Sequence, residues 1–117
     1  MTQVLTITLN PAIDQTIPVQ KLIPGEVHRA TGHSSTPGGK GIGVSIILAS
    51  LGVRTTATGW LGADNDSLFV QAFERNGIKD AMVRLPGNTR TNVKIVDNEA
   101  GESTDVNLPG IKLDAGE

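Results

Sequence analysis

Three features of this 117-residue sequence predict an α/β fold, a parallel core sheet with crossover helices plus an accessory β sheet. Short β-branched runs alternate with segments of helical spacing, the rhythm of strand–helix–strand units. Pairs of extended segments around turns fall outside that rhythm and suggest the accessory sheet. The apolar complement is Val, Ile, Leu and Ala, because the chain has one Trp, two Phe and no Tyr. Such a composition suits packed strands and helices better than an aromatic-rich binding module.

The elements follow in chain order. Val4-Leu5-Thr6-Ile7-Thr8-Leu9 is short, β-branched and apolar, and reads as a buried strand stopped by Asn10-Pro11. A turn at Leu22-Ile23-Pro24-Gly25 separates two extended pieces, Thr16 to Gln20 and Val27 to Thr31. His33 to Lys40, rich in Ser, Thr, Pro and Gly, reads as a loop. Val44, Ile47, Leu48 and Leu51 then fall at i, i+3, i+4 and i+7, one face of a helix that Gly52 ends. Arg54 to Trp60 is a second strand. Asp64 or Asn65 is placed to cap a second helix, in which Leu68, Phe69, Ala72 and Phe73 make two i,i+4 pairs before Asn76-Gly77. Asn92 to Val96 and Ser103 to Asn107 read as two strands around the turn Asp97 to Gly101.

Bulk properties narrow the function. Hydrophobic residues are 38 % and charged residues 19 %, a globular balance of one small domain. The net charge of -2 gives no broad basic face for nucleic acid, and no apolar run reaches the ~18 residues of a membrane span. Without cysteine there is no disulfide, thiolate metal site or Cys nucleophile. The start of the chain lacks the basic and apolar regions of a signal peptide, so a cytoplasmic setting is expected. His28 and His33 have no carboxylates at metal-site spacing, and no metal site is assigned.

Pro37-Gly38-Gly39-Lys40-Gly41-Ile42-Gly43 runs directly into the first helix. Glycines allow positive φ and close approach of backbone to ligand. The unpaired amides of a helix start can receive an anion or a hydroxyl-rich ligand, and Lys40 adds a movable charge. A phosphate-binding P-loop fails on spacing, since Ser34 stands at its leading position and Gly41 follows Lys40. A dinucleotide fingerprint fails as well, with Val44 or Ile46 where its third glycine belongs. Taken alone, the loop is equally a flexible entry to a helix.

The loop has company. Thr8-Leu9-Asn10-Pro11-Ala12-Ile13-Asp14, Gly38-Gly39-Lys40-Gly41, Gly59-Trp60-Leu61-Gly62-Ala63-Asp64-Asn65, Thr89-Arg90-Thr91-Asn92-Val93-Lys94 and Asp105-Val106-Asn107-Leu108-Pro109-Gly110 occur in order. Together they resemble the phosphofructokinase-B branch of the ribokinase-like family over essentially the whole chain. The stretch from Thr89 resembles its 1-phosphofructokinases and tagatose-6-phosphate kinases. The resemblance implies the N-terminal part of a ribokinase-like fold, with a β lid formed by strands at approximately 14–33 and 91–107.

It also implies roles. Asp14 would accept hydrogen bonds from sugar hydroxyls, where the plainer alternative is a turn-capping Asp. Gly38 and Gly39 would bring backbone to the sugar. Lys40 and Arg90 would hold the substrate's phosphate, Arg by paired charge-assisted bonds; the alternatives are a solvated lysine and a surface strand residue. Asn92 joins the substrate-binding set. Arg29 would reach a neighbouring subunit's site, if the lid strands pair a homodimer. Gly43 departs from the family, which places Asn there; losing that amide removes one or two hydrogen bonds, on the order of 1–3 kcal/mol.

The implied activity is ATP- and Mg²⁺-dependent phosphorylation of a sugar phosphate, fructose 1-phosphate to fructose 1,6-bisphosphate. Fructose 6-phosphate and tagatose 6-phosphate are the alternative substrates. The family's catalytic Asp lies in a Gly-Ala-Gly-Asp motif that this sequence lacks, and no catalytic residue is assigned here. The expectation is a chain without its catalytic and ATP-binding part, inactive alone, or a non-catalytic fragment that binds sugar phosphate or self-associates. Two crossover helices and three core strands would leave sheet edges and one face uncovered. The tail from Ile111 to Glu117 leads into no further element.

Overall fold

The structure, a computed structural model, describes residues 3–111. Its elements are β1 (Gln3–Thr8), β2 (Ala12–Val19), β3 (Ser34–Gly38), α1 (Lys40–Ser50), β4 (Arg54–Gly62), a 3₁₀ turn (Ala63–Asn65), α2 (Ser67–Asn76), β5 (Lys79–Leu85), β6 (Thr91–Asp97) and β7 (Glu102–Val106). They form two sheets. The first, in order β1-β4-β5, is wholly parallel. The second, in order β3-β2-β6-β7, joins β2 and β6 in parallel and flanks them with antiparallel β3 and β7. The α/β architecture with an additional sheet is thereby present, apart from the tail segment 112–117, which lies outside the described residues.

The two helices share one face of the parallel sheet. Ile42 of α1 and Phe69 and Phe73 of α2 close over Ala57 and Leu61 of β4, with Ile78 and Met82 completing the core. Gly77, at φ 64°, ends α2 in the left-handed conformation that glycine adopts without strain. Among the described residues no element covers the other face of this sheet. Leu5 and Ile7 are each 60 % exposed, Val83 is 50 % exposed, and the dimensions are 51 × 38 × 18 Å, a slab only one helix layer thick.

This one-sided cover corrects two expectations. The first strand is half buried rather than buried. Thr6 and Thr8 face the helices, and Leu5 and Ile7 face outward, since alternate residues of a strand point to opposite sides. Thr6 meets α1 through a 2.7 Å hydrogen bond with the Ser45 hydroxyl. In α1 the inward face is Ile42, Ser45, Ile46 and Ala49, while Val44, Ile47 and Leu51 of the expected stripe are exposed. The helix is apolar nearly all round, so spacing cannot select its inner face.

Three further corrections are local. Val27 to Thr31 forms no strand; β2 instead pairs with Ser34–Gly38, inside the segment expected to be a loop. Pro37 is tolerated there because β3 is an edge strand. Neither Asp64 nor Asn65 caps α2, which begins after Asp66. Asn65 bonds the Thr89 backbone, and Asp66 pairs with Arg84 at 3.0 Å. β5 arises from a segment of mixed charged and apolar residues whose Arg84 also grips Asp80 at 2.7 Å. That side-chain bond holds the Asp80 carboxyl below the usual carboxylate range against the opposing pull of burial, and raises Arg84 further.

The β6–β7 turn falls where expected, at Asp97 to Gly101. Asp97 accepts the amides of Ala100, Leu22 and Glu99, and these bonds lower its carboxyl pKa. The same side chain therefore fixes both the hairpin and the chain leaving β2.

Candidate functional site

The site begins at the carboxyl end of β1, where the chain leaves the parallel sheet beside the start of α1. Ligands of parallel α/β sheets bind at such strand ends. Thr8 there is enclosed by glycines. A Cβ on Gly39 would come within 2.6 Å of the Thr8 methyl, and one on Gly41 within 2.8 Å of the Ile7 carbonyl. Gly39 also has φ 124°, open to glycine and strained for other residues. These contacts explain the glycine run: it lets the helix start sit directly against β1.

The first intrahelical bond of α1 runs from the Gly43 N–H to the Gly39 carbonyl at 2.9 Å. The amides of Lys40, Gly41 and Ile42 precede it, and a helix start leaves such amides without intrahelical acceptors. They carry the positive end of the helix dipole.

A cavity of about 740 Å³ opens at this point, and Asp14, Gly39, Lys40, Arg90 and Asn92 all line it. The parallel β2–β6 pairing makes Asp14 and Asn92 register partners, and antiparallel β3 sets Thr36 on the other side of Asp14. Gly38 is buried outside the lining. A side chain there would strike the Asp14 carboxylate, so this glycine makes room for it.

Arg90 is held before any ligand arrives. Its Nε donates to the Pro11 carbonyl at 3.3 Å and its terminal nitrogens to the carbonyls of Leu108 at 3.0 Å and Asn10 at 3.4 Å. One N–H on each terminal nitrogen remains. Thr89 beside it is 2 % exposed, its hydroxyl accepting the Gly62 amide at 2.8 Å. Asn92 accepts the Leu108 amide through Oδ1 at 3.1 Å, which directs its NH₂ group elsewhere.

Besides Gly38, two expected residues are not brought to this cavity. Arg29 is exposed and lines a separate depression with Lys21, Glu26 and His28. Gly43 lies one step along α1 with open space where a side chain would stand. Conversely, Thr8 has a place in the wall that the sequence did not reveal. It is 4 % exposed and its Oγ1 meets no hydrogen-bond partner among the described residues. Its only sequence signal is a hydroxyl interrupting an apolar strand. Among the described residues no three His, Cys, Asp or Glu converge as a cation site. No helix of the described residues is long and apolar enough to cross a membrane.

Comparisons with known proteins bear on this geometry. The family model described as pfkB family carbohydrate kinase matches residues 1–115. The chain is 49 % identical over 111 residues to a 1-phosphofructokinase of Xanthomonas campestris, a match covering 95 % of this chain and 35 % of that protein. It is similar to the crystal structure of phosphofructokinase-2 from Escherichia coli in complex with fructose-6-phosphate, with a TM-score of 0.87 and 28 % identity over 98 % of this chain and 38 % of that one. A ribokinase from Thermotoga maritima superposes with a TM-score of 0.72 and 26 % identity, over 92 % of this chain and 36 % of the other. The chain thus spans about a third of the length of these relatives.

Proposed function

Because the chain belongs to the pfkB family of carbohydrate kinases, we propose that it is the sugar-phosphate-holding portion of an ATP-dependent 1-phosphofructokinase, which converts fructose 1-phosphate to fructose 1,6-bisphosphate. The observation that carries this reading is the convergence of Asp14, Gly39, Lys40, Arg90 and Asn92 on one cavity at the start of α1. Asp14 accepts hydrogen bonds from sugar hydroxyls, and Asn92 donates to their oxygens. Lys40 and the remaining N–H groups of Arg90 take the phosphate, through charge-assisted bonds stronger than neutral ones. The resemblance of Thr89 to Lys94 and of Asp105 to Gly110 favours fructose 1-phosphate over fructose 6-phosphate and tagatose 6-phosphate.

ATP, with Mg²⁺, supplies the phosphoryl group in this chemistry. The described residues include no cation-binding cluster and no general base aimed at the cavity other than the hydroxyl-binding Asp14. A general base alone is commonly worth ~10²–10⁴ in rate. We therefore expect these 117 residues by themselves to bind the sugar phosphate without transferring phosphate to it. Titration calorimetry with fructose 1-phosphate tests the first half, and no heat of binding at millimolar ligand would sink it. A coupled assay for ADP release tests the second, and turnover at an ordinary kinase rate would refute it.

A second reading concerns association. Leu5, Ile7, Leu9 and Val83 form an exposed apolar face, and each such side chain gains roughly 1.5–3 kcal/mol when fully buried. A second copy placed on this face would cover it. Homodimer formation through the four-stranded sheet, with Arg29 reaching the partner's cavity, is the alternative arrangement.

A further inference from the structure

The chain after β7 belongs to no strand, yet it is tied down. The β6–β7 ladder ends at Val93 and Val106. Continued in register, it would set Leu108 opposite Thr91. The main-chain groups of Leu108 turn instead to side chains. Its amide donates to the Asn92 Oδ1 at 3.1 Å, and its carbonyl accepts from the Arg90 Nη1 at 3.0 Å. Pro109 follows and has no amide with which to resume a ladder. Gly110 then runs against Asn10: a Cβ on it would stand 3.2 Å from the Asn10 Cγ and closer still to its Oδ1. Asn10, Arg90 and Asn92 all line the larger cavity, so segment 108–110 touches three of its residues.

The Arg90 backbone is fixed without this segment, since its carbonyl accepts the Ile13 amide at 2.8 Å. The guanidinium depends on it more. Its bonds to the carbonyls of Pro11 and Asn10 are long, at 3.3 and 3.4 Å, and the bond to Leu108 at 3.0 Å is the shortest of the three. A free arginine loses rotamer freedom when it grips a ligand, and one already held loses less. Asn92 gains an orientation. Its Oδ1 is committed to the Leu108 amide, so the NH₂ group is what remains for a ligand. Released from that amide, the carboxamide would turn either end to the cavity. Held as they are, both side chains offer donors, which phosphate and sugar oxygens accept.

The Leu108 side chain has little part in this. It is 47 % exposed, and main-chain atoms make both contacts.

We infer that Leu108 is a positioning residue, whose main-chain amide and carbonyl preset Asn92 and Arg90 for the sugar phosphate while Pro109 and Gly110 hold it in place. The inference rests on the sugar-phosphate reading above and adds to it a role for the stretch beyond β7. Affinity then depends on the backbone at position 108 and hardly on the side chain there.

The test uses the full chain, titrated with fructose 1-phosphate and followed by ³¹P NMR. Spectra of the ¹H–¹⁵N pairs report the Arg90 Nε–H and the Asn92 NH₂ group before ligand is added. Leu108→Ala keeps both main-chain groups and should bind within about twofold of the parent. Leu108→Pro deletes the amide N–H and keeps the carbonyl. It should weaken fructose 1-phosphate about tenfold at an unchanged urea midpoint, with the Arg90 and Asn92 signals displaced. Pro109→Gly loosens the segment without removing either group, and should weaken binding a few-fold. Parent affinity in Leu108→Pro would overturn the positioning role while leaving the sugar-phosphate reading intact. Equal losses in Leu108→Ala and Leu108→Pro would trace the effect to side-chain packing and overturn it as well. Should Leu108→Pro fail to fold, Pro109→Gly decides, and unchanged affinity with unmoved signals would count against the inference. A parent chain that binds no fructose 1-phosphate would overturn both readings together.

Discussion

The parallel and the mixed sheet contain comparable lengths of strand, yet the buried cluster of Ile42, Ala57, Leu61, Phe69, Phe73, Ile78 and Met82 belongs entirely to the helix-covered side of the first. In the mixed sheet only Ala12, Val19 and Gly38 are buried, and every residue of β7 is exposed. The first region is held by close packing and the second by its ladder of backbone hydrogen bonds. Local opening is cheapest where buried apolar contacts are few. The candidate site lies between the two, with Lys40 anchored on the packed helix and Asp14 and Asn92 on the thin sheet.

Removing one large side chain from each region should separate the two sheets most strongly. Phe69→Ala should cost about 3–5 kcal/mol, the usual loss for a fully buried aromatic, read as a shift in the urea midpoint. Ile95→Ala on half-buried β6 should cost under about 2 kcal/mol. Equal losses would mean that the mixed sheet is covered in solution and that the contrast is one of isolation, not of architecture.

A smaller effect is expected on the open face of the parallel sheet. Ile7→Asp should leave stability within about 1 kcal/mol of the parent, because Ile7 is 60 % exposed. It should shift sedimentation toward monomer if that face joins two copies. Unaltered association would direct attention to the mixed sheet.

The smallest effect concerns Gly43. Open space surrounds its missing side chain, so Asn fits without displacing a neighbour. Gly43→Asn should stabilise α1 by a few tenths of a kcal/mol. It should also tighten fructose 1-phosphate up to about tenfold, as measured by calorimetry; weaker binding would show that this turn of α1 does not face the sugar.

Much of this organisation is written locally. The β1 run, the α2 apolar pairs, the Gly77 stop and the Asp97 to Gly101 turn each follow from residue preferences acting over a few positions. So does the glycine loop that starts α1. Other features were not legible. Ser34–Gly38 has the composition of a loop and becomes a strand only because β2 offers it an edge. Lys79–Leu85 lacks a clean alternation, with three charged residues among four apolar ones, and parallel pairing with β4 is what makes it a strand. Arg90 was identifiable as a cation for the site, but its anchorage on the carbonyls of Asn10, Pro11 and Leu108 depends on segments distant in sequence.

Local residue preferences set the alternation of strands and helices, the glycine entry to α1 and the supply of polar side chains near it. Which side of each element faces inward follows instead from packing across the whole fold. In β1 and α1 both sides carry apolar residues, so periodicity leaves two solutions of similar merit, and contact with β4 and α2 selects Thr6 and Thr8 in the strand and Ile42 and Ile46 in the helix. Tertiary structure likewise joined Asp14 to Asn92 and set Lys94 beside Asp105. Register between strands is fixed by burial and chain closure across the whole fold, and no short stretch of sequence contains that information.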